Sequence, residues 1–168
     1  MIIDTHCHAG TNWFEPIENL IYQMSSNSID KSVLVQHKGS NNNYLYKCLK
    51  KYPDKFSMVA SVNWSAPLES QFQEFKSNGV SGVRIYLDYD DVFKNKGDDF
   101  FEFCSKNNLI ISLASDLKTF SSKDFKNLIK RNKNTIFIIE HLAGVGSFEI
   151  KNKNFNKKGL FNEVLQLS

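Results

Sequence analysis

The chain has few of the features that would place it in a membrane, a disulfide-bonded scaffold or a nucleotide site. No stretch of its 168 residues approaches the ~20 consecutive apolar residues of a spanning helix, so none is expected. The first residues carry no basic region, and Asp4, His6 and His8 interrupt the N-terminal apolar run, so the start does not read as a secretory leader. Cysteine is scarce: Cys7, Cys48 and Cys104 are an odd number without a Cys-x-x-Cys spacing. That argues against a disulfide framework and fits free thiols in a reducing compartment, with the cytoplasm as the expected location. A strong charge imbalance is also lacking. The formal net charge is +3, too small to imply nucleic acid as a partner. The one dense basic run, "KNKNFNKK" (151–158), reads as a solvated loop. Finally, the first turn is "HAGTNWFEP", with none of the glycine pattern that cradles a dinucleotide pyrophosphate.

What is present is a rhythm. Short, nearly continuous apolar runs occur at "MIIDTHCH" (1–8), "KSVLVQH" (31–37), "FSMVASVNW" (56–64), "GVRIYL" (82–87), "LIISLAS" (109–115) and "TIFIIEH" (135–141). Between them lie stretches with apolar residues three and four apart, such as Leu68, Phe72 and Phe75, or Phe125, Leu128 and Ile129. Pro67 opens one of these helices, Ser122 can cap another, and Gly79 follows a helix end. Strand ends recur about every 22 to 30 residues, which implies βα units and a parallel sheet. Apolar runs without alternation fit strands covered on both faces. There is no internal repeat and no low-complexity linker, so a single domain over 1–168 is expected. An open doubly wound sheet and a (β/α) barrel both satisfy this pattern.

The four histidines favour the barrel. His6, His8, His37 and His141 all fall at or just beyond the C-terminal end of a predicted strand, where a (β/α) barrel gathers its chemistry. Asn63, Arg84 with Tyr86, and Ser115 with Asp116 mark other strand ends. Side chains alternate along a strand, so Asp4, His6 and His8 are expected on one face, with Thr5 and Cys7 on the other. Imidazoles two apart sit roughly 6–7 Å apart at the backbone, and their nitrogens can converge on one ion about 2 Å from each. His6 and His8 are therefore the expected metal ligands. Cys7 reads as a buried, inert thiol, and Cys48 and Cys104 read as helix-core residues.

At this point the sequence resembles the amidohydrolase superfamily, specifically the amidohydrolase-related (type 2) TIM-barrel hydrolases. The resemblance runs through "IIDTHCHAG", similar to the first-strand Asp-x-His-x-His motif, and through "YPDKFSMVASVNW" and "GVSGVRIYL". It continues in "NTIFIIEHLAGVG", an apolar run ending in His-x-x-Gly. It departs where metal-dependent members carry a histidine after strand five, since Ala114 occupies that place. The lactonase-like branch often lacks that histidine too, and is the branch favoured here. Eight βα units need roughly 250 residues. Six are legible, so an incomplete (β/α) TIM-type barrel lacking its last two units is expected. The final stretch, with Leu160, Phe161, Val164 and Leu165 at helical spacing, shows no stop signal. A six-unit protein that closes by dimerising is the alternative, so a homo-oligomer is compatible with the sequence.

What the resemblance implies is hydrolysis of a lactone, ester or amide of a small carboxylated substrate, assisted by a divalent metal, zinc given imidazole ligands. His141 would be a third ligand, or would polarise the carbonyl and move a proton. Arg84 is the candidate clamp for a substrate carboxylate, with a rim ion pair to Asp88, Asp90 or Asp116 as its alternative. Of Gln36 and His37 only one can face the barrel mouth, and His37 is carried as a substrate contact. Trp64 is a candidate pocket wall. Glu140 alternates with His141 and is expected to turn to the helices. The rivals are a TatD-like nuclease, a decarboxylase of the same family, and an inactive fragment or binding module. "ASVNW" and "GVRIYLD" lack the segments the nuclease would need. A small molecule, rather than nucleic acid or a membrane, is the expected partner.

Overall fold

A computed structural model describes residues 1–87, 97–144 and 157–167. Six strands form where the apolar runs predict them: β1 (Ile3–Cys7), β2 (Lys31–Val35), β3 (Phe56–Ser61), β4 (Gly82–Tyr86), β5 (Ile110–Ala114) and β6 (Phe137–Ile139). They make one sheet in the order β1-β2-β3-β4-β5-β6. Parallel strands in chain order with helices between them are an incomplete TIM-barrel-type α/β fold. His8, His37, Asn63, Ser115 and His141 fall one or two residues beyond their strands, at the start of the following segment, whereas His6 lies within β1 and Arg84 and Tyr86 within β4.

Packing divides the chain into two compact units, Met1–Arg84 and Ile85–Ser168. The N-terminal unit holds β1 to β3, the first residues of β4, and the helices α1 (Ile17–Ser26), α2 (Asn43–Lys51) and α3 (Leu68–Ser77). Pro16 and Pro67 stand at the N-caps of α1 and α3, where a fixed φ and a missing N–H cost nothing. After α3 the chain reverses through Gly79, whose φ of +69° is a left-handed conformation that a side chain would disfavour. Leu34, Leu45, Met58, Ala60 and Phe75 are buried between sheet and helices. Strand β1 departs from strict alternation. Asp4 stands opposite Ser32 but Cys7 opposite Leu34, so three steps on β1 match two on β2. This is a bulge.

The C-terminal unit holds α4 (Gly97–Lys106), β5, α5 (Leu117–Phe120), α6 (Lys123–Arg131), β6, α7 (His141–Gly144) and α8 (Lys157–Leu165). Its core is phenylalanine-rich. Phe100, Phe101, Phe120 and Phe125 are fully buried, and Phe120 meets Phe125 edge-to-face at 5.1 Å. The short α5 carries no helical period and was not legible. Asp116 nucleates it by accepting from the Thr119 amide at 2.7 Å. Ser122 caps α6 as its sequence position suggests, accepting from the Phe125 amide at 3.1 Å. The helix read from the last apolar residues is present as α8, tied to α6 by the Lys126–Glu163 ion pair at 2.5 Å.

Two substitutions separate packing from capping in this unit. Phe125→Ala is expected to cost about 3–5 kcal/mol, because the ring has no exposure and an aromatic partner. Ser122→Ala is expected to cost about 1 kcal/mol. Urea unfolding followed by circular dichroism measures both. Equal costs would contradict the assignment of Phe125 to the core.

Candidate functional site

In the N-terminal unit the strand ends assemble a cluster of imidazoles, aromatic rings and one guanidinium. The β1 bulge takes the His6 amide off the strand ladder, and Asp4 Oδ1 accepts it at 3.0 Å. A buried or half-buried amide needs such a partner. Asp4 therefore holds the backbone that presents His6. The two imidazoles end on the same side, their ring centroids 5.0 Å apart and nearly perpendicular at 86°.

The second imidazole is fixed by strand β2. His8 Nδ1 lies 2.6 Å from the Val35 carbonyl oxygen. A carbonyl only accepts, so Nδ1 must carry the hydrogen, and in the neutral ring the lone pair then sits on Nε2. A ligating histidine commonly uses this arrangement, with one nitrogen held by a carbonyl and the other offered to the ion. Phe14 stacks on His8, its ring 4.5 Å away and within 20° of parallel. The donor set, two half-buried histidines with one tautomer fixed, fits a borderline-soft divalent ion.

Cys7, between the two histidines, is buried. Its Sγ donates to the Val33 carbonyl at 3.3 Å. Burial, and then the nearby Asp4 charge, push its thiol up to about 12. Cys104 on α4 is pushed to about 12 by burial, and burial raises Cys48 on α2 as well. The expectation of inert core thiols agrees with this environment.

At the ends of β2 and β4 the structure separates two residues that the sequence left paired. Gln36 is buried and satisfied locally: its Oε1 accepts from the His37 amide at 2.8 Å, and its Nε2 donates to Asn41 O at 2.6 Å. His37 is half-buried and turns to the loop after β1. Trp13 lies over it at 5.7 Å and 23°, and Phe14 meets it edge-on at 5.6 Å. Arg84 is 5 % exposed, and its Nη1 donates to the Gln36 carbonyl at 3.2 Å. Of its suggested acidic partners, Asp88 and Asp90 lie outside the described residues, and Asp116 is engaged as the α5 cap. Trp64 is half-buried in the loop after β3. Trp13 and Phe14 were missed from sequence. Their signal was available, since two aromatics stand side by side in the loop after the histidine strand.

In the C-terminal unit, β6 ends in a backbone feature no periodicity could reveal. His141, Leu142, Ala143 and Gly144 have φ of 51°, 50°, 58° and 71°, so α7 is a left-handed turn. Three of these are not glycine, at a cost of roughly 1–2 kcal/mol each. Such strain concentrates at functional positions. The turn carries the His-x-x-Gly motif and leaves the His141 side chain about half exposed. Glu140, expected to face the helices, does not. Its carboxylate turns to β5, where Ser112 Oγ donates to Oε1 at 2.7 Å. Its Oε2 lies 3.7 Å from His141 Nε2. The physical reason is the turn: it removes His141 from the strand, so alternation no longer sets the two residues on opposite faces. Ala114, at the place of the strand-five histidine, is the last residue of β5.

With this geometry in view, comparison with known proteins bears on the fold. No family model and no curated protein matches the chain by sequence. Solved structures do match. A probable 2-pyrone-4,6-dicarboxylic acid hydrolase from Acinetobacter baumannii, solved with citric acid bound, superposes with a TM-score of 0.80 at 18 % identity, covering 99 % of this chain and 66 % of that one. The chain has the fold of an incomplete (β/α) barrel. An Agrobacterium tumefaciens protein in its apo form matches with a TM-score of 0.69 at 12 % identity, over 98 % of this chain and 64 % of that one. Amidohydrolase 2 from Bifidobacterium longum subsp. infantis gives 0.62 at 13 % identity, over 89 % and 64 %. The chain thus spans a little under two thirds of the length of the structures it resembles. No helix among the described residues is long and apolar enough to cross a membrane.

The thiol environment gives a direct check. With Cys7 and Cys104 near 12, roughly one thiol in ten thousand is ionised at pH 8. Ellman's reagent is expected to leave both unmodified in the folded protein and to react with them in guanidinium chloride. The raised folded values also fix a sign. The folded state keeps these protons from about pH 9 up to about 12, so stability present below pH 9 is lost as the pH rises through that window. A urea midpoint that rises between pH 9 and pH 11 would contradict the buried-thiol assignment.

Proposed function

We propose that this chain carries the metal-binding and substrate-binding half of a hydrolase that adds water to the lactone, ester or amide carbonyl of a small carboxylated substrate. The observation that carries the reading is the His8 contact. Val35 holds Nδ1 as the donor at 2.6 Å, so Nε2 carries the lone pair beside His6, as a metal-binding pair requires. The fold likeness to proteins named as a pyrone-dicarboxylic acid hydrolase and an amidohydrolase supports the reaction class. A fold alone would not, because barrels host many chemistries.

In this reading His6 and His8 hold a divalent ion, zinc by ligand type. When bound, such an ion lowers the pKa of water to near 7 and polarises a carbonyl. Asp4 fixes the backbone that aims His6. His37 contacts substrate beside Phe14 and Trp13, and Arg84 supplies a guanidinium for the substrate carboxylate. His141 moves the proton to the leaving group. It stands at the head of a strained left-handed turn, a kind of backbone that concentrates at functional positions.

Two measurements test the assignment. The purified chain, dialysed after exposure to zinc, is expected to retain one ion by elemental analysis. His6→Ala with His8→Ala should weaken retention by at least about 100-fold. Equal retention by the double variant would remove the metal role. In the hydrolytically active protein, His141→Ala is expected to lower kcat on a lactone or ester panel by about 100- to 10,000-fold with metal content unchanged. Unchanged turnover would remove His141 from the chemistry.

A further inference from the structure

Glu140 places a carboxylate where one is costly. Its side chain is 1 % exposed, and a buried carboxylate needs partners that offset its lost hydration. An apolar side chain of similar volume would fill the same space without that cost, so packing does not account for it. The residue is fixed at three points. Its amide is still on the strand ladder and donates to Leu113 O at 2.9 Å, and its carbonyl accepts from the Ala143 amide at 3.0 Å. Its Oε1 accepts from Ser112 Oγ, on β5, at 2.7 Å. The second carboxylate oxygen, Oε2, lies 3.7 Å from His141 Nε2. His141 itself starts the left-handed turn, with φ 51°, and its side chain is 54 % exposed. A rigid, buried acceptor therefore stands beside one nitrogen of a ring that is otherwise open.

A carboxylate oxygen only accepts, so the ring nitrogen facing it is favoured as the one that carries the hydrogen. A lone pair turned toward Oε2 would meet negative charge in a place poor in water. We propose that Glu140, held by Ser112, is the positioning residue of His141: it keeps the hydrogen of the neutral imidazole on Nε2 and leaves the lone pair on Nδ1, the atom that exchanges the proton. The inference deepens the hydrolase reading and rests on it for the proton step. In that step Nδ1 takes one proton from the attacking water as the water oxygen bonds to the carbonyl carbon. The imidazolium then carries a hydrogen on each nitrogen, with the charge of Glu140 beside it. Nδ1 returns the proton to the leaving oxygen as the bond from that oxygen to carbon breaks. The ring ends neutral, and Glu140 takes no proton at any point.

The test reads the tautomer and needs no substrate. The purified chain, isotopically labelled in its histidines and stripped of metal with EDTA, is observed by proton–nitrogen correlation NMR. It is held at about pH 9, where an ordinary imidazole is neutral, and the His141 signals are assigned by their loss in His141→Gln. The parent is expected to show one form, with the hydrogen on Nε2. Glu140→Gln keeps the size and can still accept from Ser112; it should raise the Nδ1–H form at least about fivefold. Ser112→Ala keeps the carboxylate but releases it, and should give a smaller shift in the same direction. Urea midpoints identify a variant that fails to fold, and the other variant then decides. In the hydrolytically active protein Glu140→Gln should lower kcat by about 10- to 1,000-fold with KM within about twofold. A hydrogen on Nδ1 in the parent, or an unchanged tautomer ratio in the folded variants, would overturn the inference. The hydrolase reading fails separately. If the tautomer shifts in the variants while the parent turns over no lactone, ester or amide, the positioning role stands and the reaction falls.

Discussion

Everything at the candidate site depends on how β1 pairs with β2. Two carbonyls of β2 receive side chains from β1 and the residue that follows it: Val33 O takes the Cys7 thiol and Val35 O takes the His8 imidazole. The bulge in the same ladder frees the His6 amide for Asp4. The pairing thus bears on three groups: the backbone that presents His6, the nitrogen of His8 that carries the hydrogen, and the carbonyl to which the Cys7 thiol donates. A regular ladder would spend the His6 amide on β2 and leave Asp4 without that backbone role.

The end of β6 works by a different device. Its apolar residues hold the strand in place, and the chain then enters a left-handed turn that three side-chain-bearing residues would not adopt in isolation. The strain must be offset by the surroundings. Two bonds do part of this locally: the Ala143 amide donates to Glu140 O at 3.0 Å, and Ser112 anchors the Glu140 carboxylate. The outcome is a histidine lifted out of the strand beside a buried carboxylate. The His-x-x-Gly spelling is thus a backbone instruction as much as a list of functional groups, with Gly144 closing the run at φ +71°.

The site surroundings also divide polar work from recognition. Gln36, Asn42 and Gln71 spend their amides on loop backbone. Asn42 brackets Ser61 in both directions at 3.0 Å, and Gln71 does the same for Asn63 at 2.8 and 2.9 Å. These bonds hold the loops after β2 and β3, beside the strand ends that carry His8, His37 and Arg84. Loops fixed in this way on a rigid sheet are where barrels place their function.

The sequence by itself determined the strand and helix order, because apolar runs and helical spacing are local consequences of burial on a sheet and on a helix face. It also determined which strand ends carry histidines, and that Ser122 caps α6 and Gly79 ends α3. Those are properties of a residue and its near neighbours. The tertiary structure decided what depends on a second strand. The bulge exists only against β2. The His8 tautomer exists only because Val35 presents a carbonyl there, and the burial of Arg84 only because Gln36 O meets it. Trp13 and Phe14 gain meaning from the imidazoles they lie on, some 6 to 24 residues away along the chain. The left-handed turn at His141 and the inward turn of Glu140 escaped a reading by period two because alternation fails where backbone dihedrals leave the β region, and no spacing of side chains records that departure.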